Sequence, residues 1–239
     1  MSPKYSFIIP AYNEEALLQR TLEAVRDSAA KLRGGFEIVV ANDASTDRTA
    51  EIARAFGARV VDVEKRQIAG TRNAGAAIAT GEIFVFVDAD TWVTPGTLRD
   101  VERVLENPRV VGGGAWLVFD RPPSIWARIA AAVFLRVYFS VARLAAGGFL
   151  FARAEAFRKA GGFDERFFAS EEIHLSRALK RLGKIKIIRH PVITSARKFR
   201  MKSPREHLAL LKNMVRKGKK GWEQREGLDM WYDGKREKD

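Results

Sequence analysis

The chain contains no cysteine among its 239 residues. Disulfides and thiolate metal sites are therefore excluded, and a reducing, cytoplasmic setting is the simplest expectation. Long apolar runs are missing too. A membrane-spanning helix needs roughly 20 apolar residues. The nearest candidate, Ile129 to Gly147, is interrupted by Arg136 and Arg143. Near the N-terminus, Phe7–Ile9 is too short for a secretory signal and runs into Pro10 and the polar Tyr12-Asn13-Glu14-Glu15. Histidine is scarce: His174, His190 and His207 are scattered, and a lone histidine is more often structural than a metal ligand. No internal repeat or low-complexity block occurs.

Acid is scarce in one region. Between Lys184 and Lys220 there are thirteen Lys or Arg against a single acid, Glu206, out of a formal net charge of +13 for the whole chain. Such a segment is either a solvated helix face or a contact for an anionic partner such as a membrane surface, a phosphorylated acceptor or nucleic acid. Hydrophobic residues make up 46% of the chain, enough for one large α/β domain or two fused halves.

What is present is an alternation of strand and helix. The expected strands are Tyr5–Ile9, Glu37–Ala41, Arg59–Val63 and Ile83–Val87. The expected helices are Glu15–Val25, Thr46–Phe56, Asn73–Ala79 and one from Pro95 to about Leu105. Uninterrupted apolar strands with helices between them predict a mainly parallel, Rossmann-like sheet covered on both faces. Ligands bind such sheets beyond the carboxyl ends of the strands. The second half is less regular: an extended Val110–Phe119, a helical pattern over Ser124–Ala146, apolar Phe149–Phe151, and helices at Ala154–Ala160 and Glu171–Leu182. A strand at Lys184–Ile188 and a basic helix at Arg205–Lys217 follow.

Carboxylates stand at the strand ends. Asp43 follows Ile38–Ala41, and Asp88 and Asp90 follow Ile83–Val87. At a period of two, Asp88 and Asp90 point the same way. Two carboxylates there suit a hard divalent cation, Mn²⁺ or Mg²⁺, whose shell a substrate phosphate completes. The competing reading makes them turn or cap residues before Pro95. Gly70, Thr71, Arg72 and Asn73 are expected just before a helix, where an N-terminus beside an arginine suits phosphate oxygens. Alternatively, Arg72 pairs with a structural acid such as Asp88. Glu171 and Glu172 open a helix, where acids also stabilise the helix dipole.

Five segments, taken in order, resemble family 2 glycosyltransferases: FIIPAYNEE, VVANDASTDRT, GTRNAGAAIATGEIFVFVDAD, GGFLFARAEAFRKAGGFDE and ASEEIHLSRALKRLG, over about Tyr5 to Arg197. The resemblance implies an α/β GT-A fold. It implies a nucleotide-sugar-binding half over 1–115, an acceptor-binding and catalytic half over 116–200, and a basic helix and polar tail over 201–239. It implies a metal-dependent hexosyltransferase taking a sugar from a nucleotide-diphospho-sugar, with UDP the expected carrier. Pro10, Ala11, Tyr12 and Glu14 would line the base and ribose, and Asp43 would hydrogen-bond the base. Arg72 and Asp88 would sit at the ribose and diphosphate, Asp90 with Asp88 would hold Mn²⁺ or Mg²⁺, and Glu172 would be the catalytic base. The chain departs from the family pattern at Asn42, where aspartate is usual, at Glu172, also usually aspartate, and at ITSARKF. Many relatives have a metal-binding histidine in that last stretch, and Arg197 would meet the diphosphate instead.

The acceptor is open: lipid-linked, saccharide or small molecule. A peripheral position on an anionic inner membrane face suits the basic segments, and nucleic acid is the less favoured partner. No covalent-nucleophile motif stands out, which favours inversion. Two other readings stay open: a nucleotidyltransferase, although Ala-Tyr-Asn-Glu stands where its Gly-rich loop belongs, and a non-catalytic binder of anionic membrane or nucleic acid.

Overall fold

The computed structural model describes residues 3–120 and 148–197. The helical expectations over 124–146 and 205–217, and the polar tail, lie outside the described residues.

The strands are β1 (Tyr5–Ala11), β2 (Phe36–Asp43), β3 (Arg59–Val63), β4 (Ile83–Val87), β5 (Thr91–Trp92), β6 (Val110–Gly114), β7 (Leu117–Phe119), β8 (Phe149–Arg153), β9 (Lys184–Ile187) and β10 (Val192–Thr194). The helices are α1 (Leu18–Ala29), α2 (Thr49–Ala55), α3 (Ile68–Ile78), α4 (Pro95–Leu105), α5 (Ala154–Lys159) and α6 (Glu171–Leu182). Seven strands form one sheet in the order β3-β2-β1-β4-β8-β6-β9. Only β8 runs against its neighbours. Strands from both sides of residue 115 thus share one sheet.

The alternation of side chains along the strands divides the core in two. Phe7, Ile9, Val40, Val85 and Val87 face α1 and α4 through Leu18, Leu22, Val25, Leu98 and Val101. Ile8, Val39, Phe84 and Phe86 face α3, α5 and α6 through Ala69, Ala76, Phe157, Leu175 and Leu179. Helices cover both faces, as the apolar strands predict. Each fully buried Leu, Val, Ile or Phe contributes about 1.5–3 kcal/mol, which ties α1, α4, α5 and α6 to the core through Leu22, Leu98, Phe157 and Leu175.

The order of the strands reverses at β1, with β2 on one side and β4 on the other. The carboxyl ends of β1, β2 and β4 therefore open a crevice, and Ala11, Asp43 and Asp88 stand at its rim. A second sheet, β5-β10-β7, closes one side of it. Its strands are two or three residues long, and it holds the chain after β4 beside residues 192–197. The Ser195 N–H donates to the Asp90 carbonyl at 2.9 Å.

Helix α3 begins at Ile68, earlier than expected. Gly70, Thr71, Arg72 and Asn73 therefore lie inside the helix rather than before it, which corrects the phosphate-binding N-terminus expected there. The helix lies close to the sheet because Gly75 faces Ile8: a Cβ at Gly75 would come within 2.6 Å of the Ile8 Cγ2. Helix α4 starts on a capping box, with the Thr94 hydroxyl accepting from the Thr97 N–H and Pro95 in the first turn.

At the far edge, β6 meets β9 through glycine. A Cβ on Gly113 would lie 1.8 Å from the Lys186 carbonyl oxygen, which is backbone and cannot rotate away. Gly113→Ala is expected to separate β9 from β6 and to cost on the order of 1–3 kcal/mol, as overpacking does. The urea midpoint measures this, and an unchanged midpoint would contradict the packing described.

Candidate active site

Arg72 occupies a core position. On α3 it shares the buried face with Ala69, Gly75 and Ala76, and its side chain is only 4% exposed. A guanidinium there must be paired. Nη2 donates to Asp88 Oδ1 at 2.8 Å, and Nη1 donates to Glu171 Oε1 at 2.9 Å and Glu172 Oε1 at 3.0 Å. The ring of Phe163 lies 5.2 Å from the guanidinium carbon. One arginine thus joins the end of β4 to the first turn of α6. Burial alone would lower the Arg72 pKa, but the charges of Asp88, Glu172 and Glu171 outweigh it and the guanidinium stays charged. Burial, reinforced by the charge of Glu172, pushes the Glu171 carboxyl well above the usual carboxylate range, against the pull of Arg72.

The acid helix is positioned by a clasp to α3. Asn73 exchanges two hydrogen bonds with Phe163: its Nδ2 donates to the Phe163 carbonyl at 2.8 Å and its Oδ1 accepts from the Phe163 N–H at 2.9 Å. The Gln67 Nε2 donates to the Phe167 carbonyl at 3.3 Å and also to the Glu165 carbonyl. Phe167 stacks on His174 with ring centres 3.8 Å apart, which gives that histidine a packing role. Ser170, in the left-handed region at φ 66°, turns the chain into α6. His190 is also structural, its Nδ1 lying 2.8 Å from the buried Asp100.

A second buried ion pair lies across the crevice. Arg197, with its side chain 4% exposed, donates through Nη2 to Glu14 Oε2, and the same nitrogen lies 3.9 Å from Asp90 Oδ2. Its Nε and Nη1 are buried without a hydrogen-bond partner among the described residues. Arg197 belongs by sequence to the basic segment, but it is buried rather than part of a solvated face. Lys184, Lys186 and Arg189 are exposed.

At the carboxyl end of the first strand, Pro10 and Ala11 end β1, and Tyr12 lies under Arg66, 4.5 Å from the guanidinium carbon. Arg66 also donates to the Tyr12 hydroxyl. Asp43 is buried. Its Oδ1 accepts from the N–H groups of Lys65 and Arg66 at 2.7 and 2.8 Å. Its Oδ2 accepts from the Gln67 N–H at 3.1 Å and the Thr71 hydroxyl at 2.8 Å. Three backbone N–H groups thus converge on Asp43, which in this conformation shapes the loop before α3. Asn42 has a structural reason: its Nδ2 donates to Asp62 Oδ1 at 2.7 Å. An aspartate there would set two carboxylates against each other.

Asp88 and Asp90 give the site two hard oxygen donor groups. Among the described residues no group of three or more His, Cys, Asp or Glu could hold a cation by itself. The pair fits a divalent ion that takes its remaining ligands from phosphate and water. The crevice thus brings together Pro10, Ala11, Tyr12, Glu14, Asp43, Arg72, Asp88, Asp90, Glu172 and Arg197. It adds Arg66, Gln67, Asn73 and Glu171, whose partners lie too far along the chain for spacing to reveal.

The family model for glycosyl transferase family 2 matches residues 6–161. The undecaprenyl-phosphate 4-deoxy-4-formamido-L-arabinose transferase of Pseudomonas aeruginosa is 34% identical over 131 residues, covering 52% of this chain and 38% of that protein. The chain spans between 17% and 38% of the length of the curated relatives it matches. Among solved structures, the mannosyltransferase of Pyrobaculum calidifontis in complex with GDP-Man and Mn²⁺ is similar at a TM-score of 0.67 and 24% identity, covering 90% of this chain and 62% of that one. S. aureus TarS 1-349 in complex with UDP-GlcNAc is similar at a TM-score of 0.63 and 19% identity, covering 80% of this chain and 58% of that one. The fold of these neighbours is GT-A, and the sheet order, the crevice at its strand ends and the match over more than half its length show that the chain belongs to glycosyl transferase family 2.

Proposed function

We propose that the chain transfers a sugar from a nucleotide-diphospho-sugar, with UDP the favoured carrier, to an acceptor hydroxyl with inversion at the anomeric carbon. The observation that carries this reading is Arg72 bridging Asp88, at the donor strand end, to Glu172, on the helix that the family resemblance makes catalytic.

Residues 1–115 take the nucleotide and 116–200 the acceptor. Glu172 holds the acceptor oxygen and removes its proton as that oxygen bonds to the anomeric carbon. The bond from that carbon to the diphosphate oxygen breaks on the opposite face, and its electron pair leaves with the nucleoside diphosphate. Arg197 lies where leaving-group charge develops. When bound at Asp90 and Asp88, Mn²⁺ or Mg²⁺ supplies further positive charge and Lewis acidity. Glu172 is the more open acid of its pair, with its side chain 11% exposed against 4% for Glu171. That difference favours Glu172 as the base and Glu171 as the buried support for Arg72. A lipid-linked acceptor is favoured by the undecaprenyl-phosphate relative, and the basic residues 198–220 and the arginines of 124–146 would suit an anionic membrane face.

Two results test this assignment. With Mn²⁺ present, the protein should release nucleoside diphosphate from UDP- or GDP-sugars by transfer to water. Glu172→Gln should lower that rate by roughly 10²–10⁴-fold, the span of a general base, while nucleotide binding measured by calorimetry is retained. A Glu172→Gln protein as active as the parent, or a larger loss in Glu171→Gln, would remove Glu172 from this role. The second result concerns pH. The Glu171 carboxyl is raised from an ordinary 4.5, so above that pH the folded state binds more protons than the unfolded state. Stability therefore falls as pH rises from about 4.5 towards the raised value. Glu171→Gln should flatten that fall between pH 5 and 9 in denaturant titrations, and an unaltered slope would show that Glu171 is not the group responsible.

A further inference from the structure

Each carboxylate of the Asp-x-Asp pair has an arginine beside it. Arg72 donates to Asp88 at 2.8 Å, and Arg197 lies 3.9 Å from Asp90. Arg197 is also the least satisfied charged group described at the crevice. Glu14 takes Nη2, while Nε and Nη1 are buried with no hydrogen-bond partner among the described residues. Buried N–H groups left unpaired cost free energy, and a guanidinium pairs best with a carboxylate or a phosphate. Its backbone is held rather than loose: the Ala196 N–H donates to Asp120 Oδ1 at 2.9 Å, and the Arg197 N–H donates to Ser195 Oγ at 3.3 Å.

From this we infer that Arg197 is an internal counter-ion that occupies Asp90 until a nucleoside diphosphate draws it away, so that nucleotide and divalent cation bind cooperatively. This rests on the reading of the crevice as a nucleotide-sugar site. Two effects act together. A positive charge 3.9 Å from Asp90 opposes a divalent cation at that carboxylate. A diphosphate offers oxygen acceptors to the unpaired Nε and Nη1, and its negative charge offsets Arg197. Asp90 is then released to the cation, and the phosphates add ligands to it. Coupling of this kind is reciprocal, so the cation must strengthen nucleotide binding by the same factor.

The test is Mn²⁺ binding, read by the loss of the free-ion paramagnetic resonance signal, on the parent, Arg197→Gln and Arg197→Lys, first without nucleotide and then with UDP or GDP. Without nucleotide, Arg197→Gln should bind Mn²⁺ at least about tenfold more tightly than the parent, because a neighbouring positive charge has gone. Arg197→Lys, which keeps the charge, should stay near the parent. Nucleotide should tighten Mn²⁺ binding in the parent much more than in Arg197→Gln. Should Arg197→Gln not fold, Glu14→Gln provides the opposite test: with Glu14 neutral, Arg197 acts on Asp90 undivided and Mn²⁺ binding without nucleotide should weaken. Equal or weaker Mn²⁺ binding in folded Arg197→Gln, or unaltered binding in Glu14→Gln, would overturn the counter-ion role. A parent that binds neither UDP nor GDP would instead overturn the nucleotide-sugar reading, while the nucleotide-free comparison would still report on Arg197.

Discussion

The site depends on the pairing of one buried cation with three acids. Arg72 is placed by a helix whose other inward residues are small, and it has almost no water to share its charge. It therefore fixes where Asp88, Glu171 and Glu172 can stand. Since Asp88 follows strand β4 and the two glutamates open α6, the pairing sets the distance between the end of β4 and the start of α6. The neutral clasp of Asn73 and Gln67 to residues 163–167 supports the same geometry from the adjacent turn of α3. Alone, neither set would suffice: the charges need a rigid frame, and the frame has no chemistry.

The second cation works on different terms. Arg72 is committed to three acids, whereas Arg197 has N–H groups to spare. The first is suited to hold architecture and the second to meet an arriving anion. This division agrees with the local chain. Arg72 lies mid-helix, while Arg197 follows the short strand β10, whose partners β5 and β7 tie it to the residues around Asp90.

Much of this was legible in the sequence, for identifiable reasons. Strands β3 and β4 and helices α4 and α6 coincide with the apolar runs and with their Pro and Gly boundaries. The acids at the strand ends follow from the same pattern. Helix α3 starts earlier than its sequence suggests, because Gly70 and Thr71 read as loop residues. In the structure the Thr71 hydroxyl bonds to Gln67 and Asp43, and small residues let the helix approach the sheet. The small sheet escaped because its strands gain stability only from distant partners, such as Ile193 with Trp92. The pairing of Arg72 with Asp88 was one of two readings of that residue. Its bonds to Glu171 and Glu172 join positions about a hundred residues apart, and no local periodicity reports them. Asn42 was visible as a departure, but its cause, Asp62 on the neighbouring strand, became apparent only from the sheet register.

The central claim is that Arg72 and the acids of α6 form a single electrostatic unit, and a double-mutant cycle tests it most directly. Arg72→Met, Glu172→Gln and the double variant would be compared by chemical denaturation at neutral pH. Removing the arginine alone should cost about 3–5 kcal/mol, because it leaves buried carboxylates unpaired. Neutralising Glu172 in that background should restore at least about 1 kcal/mol, the size of coupling expected between groups in one network. Strictly additive losses, or an Arg72→Met protein as stable as the parent, would contradict the account.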